Sequence, residues 1–460
     1  MSFWLWLRKR WDVMLFLVCF LLASTIVAFV SGFLTAESRG PLYYKISAVT
    51  GAAAEKYYIQ LAQLMFSEKC DRYPFTWSAT RETTPGVIIC KENKVCPGAT
   101  FYTDCASSSA CLIDMQGNVL HRWHKDFFDV WPHPKHVKSY LPSTFDEMIY
   151  WRKARLFPNG DVLVIFEGAF TPYGGGLIKI DADSNLIWKA AINAHHDLDV
   201  DPKGNIFVLT HKYNDAVENI RIDDYLTIIS PGGKVLREIS LYESFRNSSY
   251  AALIPADFHG DYMHTNNVDF VTDAIAADYP FLCPGDILLS HNHLGAITVL
   301  DGADYTVKWA LAGLARTIHD PDFIGRGRLV FFDNGWPVPE NLAGSTILEW
   351  DCINQRPFWR FTPFDFVKGI DPSFRKTDSL LSLTCGSQQL LPNGSYLITE
   401  SNGGTLYEVT REKQVVWKYV TGRLDGKSVG NVFWAERFPP GKLTFLKSRR
   451  PISRAQLNCQ

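Results

Sequence analysis

Three histidines recur at one phase of an internal repeat, and imidazoles gathered in one pocket can carry group transfer, proton transfer or metal binding. They stand in Ala194-His195-His196-Asp197, Met263-His264-Thr265-Asn266 and Ile318-His319-Asp320. His196 lies eight residues before the turn glycine Gly204, and His319 lies eight before Gly327. Arg152 holds that place before Gly160, and Gly386 before Gly394, with Gln388 and Gln389 just after. His264 precedes a longer insert, so its phase rests on its position ahead of an apolar strand. A single buried histidine is most simply a satisfied structural group. Three at one phase point to a use, because burying several titratable groups together is costly. Metal binding is a second functional reading, with Asp197, Asp269 or Asp320 completing a set of imidazole ligands. No compact H-x-x-x-H motif supports it, and no metal or cofactor is expected.

The elements that must position these histidines repeat about every 40–50 residues, the blade length of a propeller. Each copy reads as a turn with glycine, two apolar strands, a second turn and a strand near a tryptophan. Leu156-Phe157-Pro158-Asn159-Gly160-Asp161 leads into VLVIF, LIKID and LIWKA. Comparable runs begin at Asp201, Pro284, Gly325 and Leu391, and a shorter copy over residues 99–124 comes first. Short strands joined by Gly-Asn or Gly-Asp turns are hairpin chemistry. Six copies predict an all-β, six-bladed propeller, whereas a β-sandwich would not repeat itself six times. Trp123, Trp188, Trp309, Trp359 and Trp417 fall near blade ends and are expected to pack between blades.

The chain has 460 residues, 47% of them hydrophobic and 14% aromatic, with a net charge of −2. That composition supports a large globular core, and no basic surface argues for nucleic acid. Residues 13–36 form an uncharged run of 24 residues preceded by Arg8, Lys9 and Arg10. A bilayer needs ~20 apolar residues, and the basic flank keeps the N-terminus cytoplasmic. A cleaved signal peptide would have a shorter apolar core, of about 7–15 residues. The expected organisation is a cytoplasmic segment 1–12, a single-pass anchor 13–36 and a membrane-proximal segment 37–95, helical around 52–66. A propeller over 96–445 and a tail over 446–460 follow, with the propeller on the periplasmic or extracellular side. Of ten cysteines, Cys70, Cys90, Cys96, Cys105 and Cys111 cluster ahead of and within the first blade. In an exported domain such a cluster predicts disulfides.

Several motifs in one order resemble the arylsulfate sulfotransferases and their arylsulfotransferase-like branch. Cys111-Leu112-Ile113-Asp114 through Gly117-Asn118-Val119-Leu120-His121-Arg122-Trp123 resembles the family's opening blade. His195-His196-Asp197, His264-Thr265-Asn266, and His319-Asp320 followed by Phe332-Asp333-Asn334-Gly335 resemble its histidine blades. Gln388 to Gly394 with Val415-Val416-Trp417 is similar to its last blade. The resemblance covers roughly residues 97–445. It implies a six-bladed propeller that moves a sulfuryl group from an aryl sulfate donor to a phenolic acceptor, without a nucleotide sulfate donor. By resemblance His319 is the nucleophile, and His196 and His264 are its helpers. Asn266, Asn292, His293, Gln388 and Arg152 are candidate substrate-binding residues. The family's catalytic arginine follows the His-x-Asn motif, where this chain has Asn292. Arg152 is the candidate replacement, and His293 would serve only when protonated. Phe170, Tyr173 and Trp336 are candidates to hold an aryl ring.

A second reading is a propeller without catalysis, acting as a binding or scaffold subunit of a membrane complex or as a homo-oligomer. The anchor, the 37–95 segment and Asn292 favour scaffolding. Retention of His196, His264 and His319 together favours the enzyme.

Overall fold

The structure is a computed structural model. It describes residues 77–79, 84–104, 107–137, 149–168, 174–214, 221–256, 260–315, 317–335, 344–363, 365, 380–382, 384–421 and 428–448. The proposed anchor, the helix expected around 52–66, Phe170, Tyr173 and Trp336 lie outside the described residues. Among the described residues no helix is long and apolar enough to cross a membrane.

Six antiparallel sheets follow one another along the chain, and together they form a six-bladed propeller. The innermost strands of blades 2 to 6 are Ile149–Leu156, Ala194–Val200, Thr265–Phe270, Ile318–Phe323 and Ser387–Leu390. Each is followed by three strands that step outward in chain order. Blade 1 differs. Its strands Ala99–Asp104, Ser109–Ile113 and Val119–His124 take their innermost partner, Ala435–Phe438, from the far end of the chain. Blade 6 gains a fifth, outermost strand, Gly86–Cys90, which pairs with Val415–Val420. The segment before residue 96 therefore contributes a strand to the ring.

The apolar strand runs are continuous because both faces of each blade are buried. In Val162–Gly168, Val164 and Phe166 face the core shared with Phe101, Leu112 and Trp123 of blade 1. The alternate residues Leu163 and Ile165 face Leu198, Ile206 and Val208 of blade 3. The same period-2 division repeats at every blade boundary, and the sixth core joins Tyr102 and Ile113 of blade 1 to Leu397 and Trp417 of blade 6. The tryptophans add polar stitches. The indole N–H groups of Trp123, Trp188, Trp359 and Trp417 donate at 3.0 Å to Gly160, Pro231, Arg411 and Met115, each in the next blade of the ring. Trp309 instead stacks on Phe281, with centroids 4.9 Å apart.

The disulfide expectation does not hold among the described cysteines. Cys90, Cys96, Cys111, Cys283, Cys352 and Cys385 are all free. Cys90 is exposed on the outermost strand of blade 6, whereas Cys111 is buried within blade 1. Cys90 and Cys111 sit on strands of different blades, and Cys96 and Cys111 share the core between blades 6 and 1 without bonding. Cys70 and Cys105 lie outside the described residues.

Candidate active site

The inner strands of blades 2 to 5 each break register near their starts. The shifts fall between Trp151 and Lys153, Ala194 and Leu198, Thr265 and Asn267, and His319 and Asp322. Such bulges re-aim side chains. His196, His264 and Asp320 there adopt left-handed backbone, with φ of 54°, 50° and 50°. A non-glycine residue in that region carries strain that the surrounding fold must hold in place.

His196 and His319 keep the phase that their spacing predicts, and His264 does not. His196 lies four residues before the end of its inner strand, Arg152 and His319 hold the same place in theirs, and Gly386 stands just ahead of its own strand. In blade 4 that place belongs to Asn266, because His264 stands just ahead of the strand. Asn266 is committed to its neighbours: its Oδ1 accepts from Ser290 and its Nδ2 donates to the Ile318 carbonyl at 2.7 Å.

The histidines nevertheless converge. A file of rings runs His211, His195, His196, His264, His293, with successive centroids 5.1, 5.0, 4.8 and 4.6 Å apart. His195 and His196 share a hydrogen bond between their Nδ1 atoms at 2.8 Å. Burial deepens along the file, from exposed His293 to His195 at 3% exposure. Burial, then the neighbouring His211 or His264, holds His195 and His196 well below the usual histidine range. His264 goes the other way. Burial would lower it, but Asp261 accepts from its Nδ1 at 2.5 Å and holds the imidazolium above the ordinary value. Asp261 itself is drawn down to about 2, because the His264 bond and charge outweigh its burial.

His319 lies within electrostatic reach of Arg152 and His264, which reinforce burial in pushing it down to about 3. Its Nδ1 lies 2.7 Å from Asn334 Oδ1. The Asn334 amide is fixed from behind, since its Nδ2 donates to the carbonyls of Ser382 and Cys385 at 2.7 and 2.6 Å. A carbonyl only accepts, so Oδ1 must face His319, and the His319 proton sits on Nδ1. Nε2 then carries the lone pair.

Arg152 is buried, with its Nε 3.4 Å from Glu167 Oε2 and its guanidinium 5.0 Å over the Phe433 ring. Glu167 also accepts from the His196 backbone N–H and from Tyr150 Oη at 3.4 Å. Burial raises its carboxyl against the pull of Arg152.

Other candidates are placed elsewhere or committed. Gln388 lies with the acidic groups of the inner strands: its N–H donates to Asp320 Oδ2 at 2.9 Å, and its Oε1 has no partner. Asp197, Asp320 and Lys153 meet on those strands, with Lys153 Nζ 2.7 Å from Asp197 and 3.0 Å over the Trp434 ring. These aspartates pair with a lysine and a glutamine rather than completing an imidazole set. Asn292 donates its N–H to the His264 carbonyl at 3.0 Å, while its buried Oδ1 has no partner. His291 is a saturated core histidine, held by Thr265 and Thr298 at 3.0 and 2.9 Å.

Sequence reasoning missed Glu167, Asp261 and a role for Asn334. Only Asn334 left a signal, in the Phe332-Asp333-Asn334-Gly335 motif. A separate groove of about 380 Å³, lined in part by Gly98, Phe438 and Leu443, shares no residue with the histidine cluster.

A propeller with a buried histidine cluster at the starts of its inner strands is the class that fold and site define. The family model for arylsulfotransferase (ASST) matches residues 153–422. The chain belongs to that family. No curated protein matches it. Among solved structures it is similar to a protein of unknown function from Bacteroides caccae, at 11% identity and TM-score 0.45, covering 73% of this chain and 99% of that one. A functionally unknown protein from Desulfotomaculum acetoxidans matches at 10% identity and TM-score 0.40, covering 75% and 99%. The WD40 propeller domain of Doa1 matches at 9% identity and TM-score 0.37, covering 78% and 96%.

Proposed function

We propose that this propeller moves a sulfuryl group from an aryl sulfate to a phenolic acceptor through a histidine intermediate. The carrying observation is His319, neutral and with its proton fixed on Nδ1 by Asn334. A neutral imidazole whose free nitrogen is predetermined is a prepared nucleophile. In the first half-reaction Nε2 attacks sulfur, an S–N bond forms, and the S–O bond to the aryl group breaks. The departing phenolate meets the positive charge of His264. In the second half, His196 accepts the acceptor's proton while the phenolate oxygen displaces Nε2 from sulfur. His196 is neutral and so free to take a proton, and its hydrogen bond to His195 fixes its ring. Arg152, paired with Glu167, lies within electrostatic reach of His196 and His319. The domain is tethered by residues 13–36 and faces the periplasm or the cell exterior.

The scaffold reading keeps one specific support, which is Asn292, at the place where the sequence resemblance implies an arginine. One assay separates the two. The full-length chain in detergent is given a chromogenic aryl sulfate with and without a phenol. Phenol-dependent release that disappears in His319→Ala supports the enzyme; no release from several aryl sulfates supports the scaffold.

A further inference from the structure

We infer that Asp261, His264 and His293 form a binding site for a divalent first-row transition ion of the zinc type. One ring nitrogen from each histidine and one carboxylate oxygen of Asp261 lie within 4.8 Å of one another. Two imidazoles and a carboxylate are ligands that zinc-like ions prefer and that magnesium or calcium do not. Three protein ligands with an open fourth position are the arrangement of catalytic rather than structural zinc.

The set is built by the backbone. Two hydrogen bonds strap its halves together, from Asn292 N to the His264 carbonyl at 3.0 Å and from His293 N to the Met263 carbonyl at 3.1 Å. Asp261 orients both rings. Its carboxylate holds His264 Nδ1 and the His264 N–H, and its carbonyl holds His293 Nδ1. The rings lie 34° from parallel with centroids 4.6 Å apart. His264 holds φ of 50°, a strained conformation that the surrounding fold keeps in place. His293 is exposed, so an ion can enter from solvent.

The ion takes the place of the proton now held between His264 and Asp261, and so keeps a positive charge at that spot. It also stands beside Asn292, where the sequence resemblance implies an arginine. That role rests on the sulfuryl-transfer reading; the binding does not.

The test is equilibrium dialysis of the full-length chain in detergent against Zn²⁺, with metal analysis and competition by a chelator. The expected result is one ion per chain, with no competition from excess Mg²⁺ or Ca²⁺. Affinity should fall by at least about a hundredfold in His293→Ala and in Asp261→Asn, and stay unchanged in His124→Ala. His293 is exposed and Asp261→Asn is isosteric, so circular dichroism should show both folded. No retained zinc in the wild type, or affinity in either variant unchanged from the wild type, overturns the site. Zinc bound without phenol release from any aryl sulfate would sink sulfuryl transfer and leave the site standing. Phenol release unaffected by chelator would remove the ion's catalytic role.

Discussion

Asn334 Oδ1 and His319 Nδ1 sit 2.7 Å apart, and the amide behind that contact has only one permissible orientation. The tautomer of His319 is thereby decided by a residue that need not touch substrate. Asn334→Ala should lower kcat by roughly 10²–10⁴-fold while leaving donor KM within a few-fold, as expected when a histidine loses the partner that orients it. An equal loss in kcat and KM would point to a damaged pocket instead.

Arg152 and Glu167 neutralise each other in a buried setting, at 8% and 2% side-chain exposure. Removing one partner strands the other. Arg152→Ala should destabilise the propeller by about 3–5 kcal/mol, read as a lower urea midpoint. Donor binding is therefore better tested with Arg152→Lys, which keeps the charge. A folded, fully stable Arg152→Ala would show that Glu167 finds another cation.

Asp320 should make stability depend on pH. Burial, with Asp197, raises its carboxyl to about 7 against the opposing pull of Lys153, while an unfolded chain titrates near 3.8. Between these values the native state holds more protons than the unfolded state, so stability falls as pH rises. Melting temperature should drop from pH 5 to pH 8 and change less in Asp320→Asn, which keeps an acceptor for the Gln388 N–H. At pH 8 that variant should melt a few degrees higher, at roughly 2–4 °C per kcal/mol. An unchanged pH slope would place the effect on another carboxyl.

Cysteine reactivity should follow burial rather than pairing. Under native, non-reducing conditions an alkylating reagent should label Cys90 and Cys283, which are exposed, and spare Cys96, Cys111 and Cys352. Denaturation without reductant should then expose all of these as thiols to mass spectrometry. A reductant-dependent mass shift at any of them would contradict the free state.

The propeller was legible because its turns and apolar runs repeat, and period-2 strands buried on both faces leave an uninterrupted pattern such as Val162 to Phe166. His196 and His319 were legible by spacing alone. His264 was misphased because the insert after it breaks the count back from the turn glycine, and Asn266 fills the place assigned to it. Glu167 and Asp261 leave no pattern, being single carboxylates at a strand end and in a loop. Their role comes from side chains that approach from other elements. Gly86–Cys90 reads as one short apolar run with no turn partner nearby, since its partner strand lies at Val415–Val420.

The pairing of Ala99–Asp104 with Ala435–Phe438 also sets the order of events during synthesis. The first blade leaves the ribosome with an edge that no neighbour can cover until almost the whole chain has been translated. Throughout that interval Ala99–Asp104 presents unpaired backbone, a template for joining other chains. A premature stop anywhere before residue 435 would therefore leave the first blade open rather than simply trimming the last, and such fragments should aggregate whatever the length already made.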